Sequence, residues 1–159
     1  MKHIVVLCSA FLLSIGLADA QPADPTTLQR NSRVQALGLN QRAKALLDAG
    51  RYTEADQALL QGLSLCDGPL NGDPLCVAAF AELLGDLRRK QGRLSEAEQF
   101  YTRSLAARRQ ALAADDPAIA ESLLRVAGVR RQLKNYAGAE ETITEAVERF
   151  RDRSDRIEA

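Results

Sequence analysis

Gly50-Arg51-Tyr52-Thr53-Glu54-Ala55-Asp56, Gly92-Arg93-Leu94-Ser95-Glu96-Ala97-Glu98 and Lys134-Asn135-Tyr136-Ala137-Gly138-Ala139-Glu140 are versions of one heptapeptide, set 42 residues apart. Ala55, Ala97 and Ala139 hold one register position, and the acids Asp56, Glu98 and Glu140 hold the next. A constant interval of this size marks one supersecondary unit copied and stacked. The repeat therefore decides the architecture.

Working outward, apolar residues recur at three and four, and no stretch alternates in the manner of a strand, so the unit is helical. Turn residues punctuate the chain at regular places. Gly50 and Gly92 suit the left-handed backbone just past a helix. Thr53 and Ser95 are candidate caps, with Asp56 and Glu98 three residues on. Asp73-Pro74 and Asp116-Pro117 place an acid at a cap and proline at the first helical position, where its missing donor costs nothing. The expected helices run over about 28–49, 53–66, 74–91, 95–114, 117–133 and from the Asn135-Tyr136 turn to 151. Residues 21–27 read as a loose leader, with Thr26 or Thr27 as the first cap, and 152–159 as a charged tail that frays.

Starting the three copies at Ala36, Ala78 and Ala120 gives repeats of about 36–77, 78–119 and 120–151. The eighth positions are Ala43, Gly85 and Ala127; the twentieth are Ala55, Ala97 and Ala139; the twenty-seventh are Gly62, Ser104 and Ala146. All are small and allow close helix approach. Leu59, Tyr101 and Ile143, with Leu63, Leu105 and Val147 four residues on, form an apolar stripe. One helix pair cannot bury such a stripe alone, whereas stacked pairs can.

This pattern resembles the tetratricopeptide repeat, in the 42-residue form found in kinesin light chains. The resemblance covers about 36–150 and implies an all-α superhelical solenoid of three helix-turn-helix repeats, six helices in all. It further implies a non-catalytic module that binds a segment of another protein in a concave groove lined by the first helix of each pair. Carried onto this sequence, the groove includes Asn40, Lys44, Glu82, Asp86, Arg89, Lys90, Leu124 and Arg131. The chain departs from the family pattern at the eleventh position, which is Leu46 but then Arg88 and Arg130, and at the fifteenth, where Lys134 replaces glycine.

The N-terminus reads as an address. Lys2 and His3 precede an apolar run, and Ala18-Asp19-Ala20 offers small residues for a cut between Ala20 and Gln21. The run is shorter than the roughly 20 residues a spanning helix needs. The expectation is an exported, periplasmic protein with no stable membrane anchor after cleavage.

Cleavage removes His3, the only histidine, and Cys8. A Ser-His-Asp relay is then impossible, and the commonest metal ligand is gone. Two remaining cysteines do not make a tetrahedral zinc site. No enzyme activity, metal or cofactor is expected. The formal net charge of zero gives no support for nucleic-acid binding.

Cys66 and Cys76 are either two buried thiols or a disulfide. The oxidising compartment and the lack of other partners favour the bridge, a staple too widely spaced for a redox motif. The basic clusters Arg88-Arg89-Lys90 and Arg130-Arg131 have two readings. They form an anion-binding face, or they gather at helix C-termini to offset the dipole. The last helix also offers an end at which the protein could stack on itself.

Overall fold

The computed structural model describes residues 24–157, with side chains through 151. The expected secretion signal, its cut between Ala20 and Gln21, and residues 21–23 of the leader lie outside the described residues. So does the end of the tail, 158–159.

Six helices follow one another: α1 (Pro25–Asp48), α2 (Tyr52–Asp67), α3 (Pro74–Lys90), α4 (Leu94–Ala111), α5 (Pro117–Gln132) and α6 (Tyr136–Ile157). There is no strand among the described residues. α1 packs on α2, α3 on α4 and α5 on α6; α2 meets α3 and α4 meets α5, which joins the pairs into an all-α solenoid of three hairpins.

Each hairpin turns in the same way. Past α1, Gly50 takes φ 72°, Gly50 N–H bonds Leu47 O at 3.2 Å and Arg51 N–H bonds Leu46 O at 2.9 Å. This double closure satisfies the last carbonyls of the helix. It recurs at Gly92 (φ 75°), where Arg93 N–H reaches Arg88 O, and at Lys134 (φ 63°), where Asn135 N–H reaches Arg130 O. Lys134 thus adopts the glycine conformation at the expense of a side-chain clash.

The second helix of a hairpin starts earlier than its Thr and Ser suggested. Thr53 and Ser95 lie inside the first turn, and neither α2 nor α4 has a side-chain cap. Tyr52 and Leu94 already take helical geometry because the preceding turn is closed by its own backbone. Arg51 instead grips Glu54 with two bonds of 2.6 and 2.5 Å, and Arg93 grips Glu96 with two of 2.6 Å. In the third copy Asn135 Oδ1 accepts from Gly138 N–H at 3.1 Å.

The Asp-Pro starts form as expected. Asp73 accepts from the N–H groups of Leu75 and Cys76, and Asp116 from that of Ala118. The same dipeptide opens α1 at Asp24-Pro25, so 25–27 are helical and not leader. Thr26, inside the first turn, donates its hydroxyl to Asp24. At the other end, the backbone stays helical to Ile157, so most of the tail continues α6.

All nine small positions are buried. Two of them show why. A methyl added to Gly62 would lie 2.0 Å from the Phe80 ring, and one added to Gly85 would lie 2.6 Å from the Tyr101 ring. Each glycine lets an aromatic residue of the next helix settle against backbone. Cys66 and Cys76 are joined by a disulfide with Cα atoms 5.5 Å apart, which clips the end of α2 to the start of α3.

Candidate functional site

The first helices of the hairpins carry the residues assigned to the groove. On α3, Ala79, Glu82, Asp86 and Arg89 are spaced by three and four and so share one face. The middle of that face is occupied by an ion-pair network. Glu82 meets Arg108 of α4 at 2.5 Å and Arg125 of α5 at 2.9 Å. Asp86 meets Arg125 at 3.2 Å and accepts the Tyr101 hydroxyl at 2.6 Å. Arg89 lies 3.9 Å from Asp86, and its Nε donates to the Tyr101 oxygen at 3.3 Å.

The two acids are therefore committed to arginines of the next helices. Arg108 also donates to Ser122 Oγ and Ala118 O, fixing α4 against α5. Burial pushes the Tyr101 hydroxyl up to about 12, and the bond to Asp86 and that carboxylate's charge push in the same direction. The phenol is thus a lasting donor to Asp86. Its place follows from Gly85, which lets the ring cross α3 one residue before Asp86.

A cleft opens at each end of this face. The first, of about 280 Å³, is lined by Leu37 and Asn40 of α1, Ala79 and Phe80 of α3, and Leu70 and Cys76 beside the turn, with Arg33 and Asp73 at its edge. It is mostly apolar. The second, of about 220 Å³, is lined by Arg89, Tyr101, Arg125, Gly128, Val129, Arg131 and Gln132. It is basic.

Of the residues assigned from sequence, Asn40 lies in the first cleft and Arg89 and Arg131 in the second. Glu82 and Asp86 lie between. Lys44, Lys90 and Leu124 are exposed and line neither cleft. Tyr101, Arg108 and Arg125 escaped the sequence reading. Tyr101 was absorbed by the apolar stripe. The two arginines gain meaning only when α4 and α5 stack beside the i, i+4 pair Glu82 and Asp86.

The basic clusters divide. All four arginines sit in the last turn of α3 or α5, where cations offset the dipole. Arg89 and Arg131 face the second cleft, but Arg88 and Arg130 turn away from it. Arg88 is buried and pairs with Asp56 at 2.8 Å and Glu96 at 3.5 Å, with its guanidinium 5.9 Å from the Phe100 ring centre. Arg130 pairs with Glu98 at 2.8 Å and donates to Thr142 Oγ1 and Gly138 O. Each is the eleventh residue of its copy, bonded to the acid at position twenty-one of the copy before. They are rungs between repeats.

No group of three or more His, Cys, Asp or Glu side chains could hold a metal ion among the described residues, and no described helix is long and apolar enough to cross a membrane.

Residues 34–110, and again 75–152, match the model of the tetratricopeptide repeat. The chain belongs to the tetratricopeptide repeat family. Nephrocystin-3 of Mus musculus is 40% identical over 72 residues, which is 45% of this chain and 5% of nephrocystin-3. The crystal structure of BtubC (BKLC) from P. vanneervenii superposes with a TM-score of 0.63 at 19% identity, over 80% of this chain and 55% of that one. The likeness to BtubC speaks to the fold. This chain spans a small part of the first protein's length and about half of the second's. Tetratricopeptide repeats generally mediate protein–protein interaction and are generally non-catalytic.

Proposed function

We propose that this protein is a non-catalytic adaptor or assembly factor of the cell envelope, exported with loss of residues 1–20, which binds an extended segment of a partner protein along the first helices of its repeats. The observation that carries the reading is the pair of clefts at the two ends of one face of α3. Ala79 and Arg89 mark those ends, ten residues and so roughly 15 Å apart along the helix. An extended chain covers that span in about five residues. The favoured ligand places an apolar side chain in the cleft at Leu37 and Phe80, and a carboxylate some five residues away at Arg89 and Arg131. Arginine suits this task because its planar fork binds a carboxylate through two bonds.

Capture from envelope extracts tests the reading with two variants. Arg89→Glu with Arg131→Glu removes the basic end, and Leu37→Glu blocks the apolar one; all three side chains are exposed, so the fold survives. A genuine partner is lost or weakened with both. Retention of every captured protein by both variants overturns the groove. N-terminal sequencing of the periplasmic fraction tests export, with Gln21 as the expected first residue.

A further inference from the structure

The two internal junctions of the array share one recipe, and the outer face of α6 presents half of it. In copies one and two, the stripe residues Leu59 and Leu63, and Tyr101 and Leu105, are at most 6% exposed. Their counterparts on α6, Ile143 and Val147, are 43% and 58% exposed. The acids behave in parallel. Asp56 and Glu98 each hold an arginine of the following copy, whereas Glu140, at the same register, has no ion pair among the described residues.

The missing half can be read from what covers the other two stripes. α3 brings Leu84-Gly85-Asp86-Leu87-Arg88 and α5 brings Val126-Ala127-Gly128-Val129-Arg130. Both are aliphatic, small, any residue, aliphatic, arginine. The aliphatic pair joins the stripe in a common core, the small residue admits the neighbouring helix, and the arginine closes on the acid.

This sequence has no third helix of that kind to offer. α1 carries Arg42, Ala45 and Leu46 where the cover needs aliphatic, aliphatic and arginine. The versions on α3 and α5 are already used inside the array. A second copy therefore lacks the complement.

We infer that the outer face of α6 docks an α-helix from outside this sequence that carries the pattern aliphatic-small-any-aliphatic-arginine, with its guanidinium on Glu140 and its aliphatic pair on Ile143 and Val147. The face is independent of the clefts on α3, so either surface can bind without the other.

The probe is a fluorescent peptide with the sequence of residues 117–132, held helical by a hydrocarbon staple between positions 121 and 125. It is titrated against the full chain and followed by anisotropy. Binding is expected to weaken about tenfold or more with Glu140→Arg. The Arg130→Glu peptide should bind that variant better than it binds the wild type. Ile143→Ser with Val147→Ser should abolish binding with an unchanged circular dichroism spectrum, since both residues are exposed. Three results overturn the inference: no binding by the wild type, equal binding by wild type and Glu140→Arg, or light scattering that shows a dimer dissociated by Glu140→Arg. The last would assign the face to a second copy.

Discussion

Replacing Arg88 by alanine should cost more stability than the same change at Arg130, its counterpart one repeat later. The Arg88 side chain is 7% exposed, pairs with two acids and lies 5.9 Å from the Phe100 ring centre. Removing one partner of a buried ion pair costs about 3–5 kcal/mol, mostly because the other charge is stranded. Here Asp56 and Glu96 are 28% and 39% exposed, so both can take water in place of the guanidinium. That puts the loss near the low end, about 3 kcal/mol. Arg130 occupies the same register one copy later, but it is 27% exposed and has one acid partner. Its loss should cost about 1.5 kcal/mol, in the range of a charged hydrogen bond. Urea unfolding followed by far-UV circular dichroism measures both. The first copy supplies the control, because Leu46 fills this position, buried and without an acid. Arg88→Leu combined with Asp56→Ala should therefore recover more than half of the deficit. The reasoning fails if Arg88→Ala stays within about 0.5 kcal/mol of wild type, or if Arg130→Ala is the costlier change.

Four further outcomes follow from single contacts. Gly62→Ala would drive a methyl into the Phe80 ring, 2.0 Å away, and should cost about 1–3 kcal/mol in the same unfolding assay; adding Phe80→Leu should return much of it. Lys134→Gly should stabilise by about 1 kcal/mol, because φ 63° is then free of the side-chain clash, and a loss would contradict the turn described here. Reduction of the Cys66–Cys76 bridge should lower the unfolding free energy by about 2–3 kcal/mol, and labelling of denatured, unreduced protein should find no free thiol at either residue. Tyr101 should ionise only near pH 12 in a spectrophotometric titration. Its folded value is raised, so its contribution is full below the ordinary value of 10 and is lost as pH rises from 10 toward 12. Asp86→Asn should bring the transition down part of the way, since burial is the larger cause.

The fold was legible because stacking repeats its demands. Ala55, Ala97 and Ala139 are buried in all three copies, and a period can be read without knowing what each residue touches. The Asp73 and Asp116 caps were legible, but the starts of α2 and α4 were misread. Thr53 and Ser95 have the right chemistry, but the backbone closure at Gly50 and Gly92 starts the helix before them, and only coordinates show where a turn has closed. Arg88 and Arg130 looked like departures from the family pattern. They are a second pattern, whose partners lie 32 residues back, across a junction. The site was legible only in outline: the family resemblance implied α3 as a lining helix, yet Glu82 and Asp86 are spent on Arg108 and Arg125, and that depends on α4 and α5 lying beside them.

The disulfide joins α2 to α3 covalently, while α4 and α5 have no bridge beyond the backbone and meet through non-covalent contacts such as Arg108 to Ser122 and Glu98 to Arg130. In a linear array each hairpin is held by its neighbours alone, so unequal junctions give unequal lifetimes. Under tension or heat the molecule should come apart from one side. The α5–α6 hairpin peels away first, while the two hairpins on either side of the bridge open together. Amide exchange would then run fastest in the third hairpin, and the staple would act as a ratchet stop, preserving a nucleus on which the lost hairpin can re-dock.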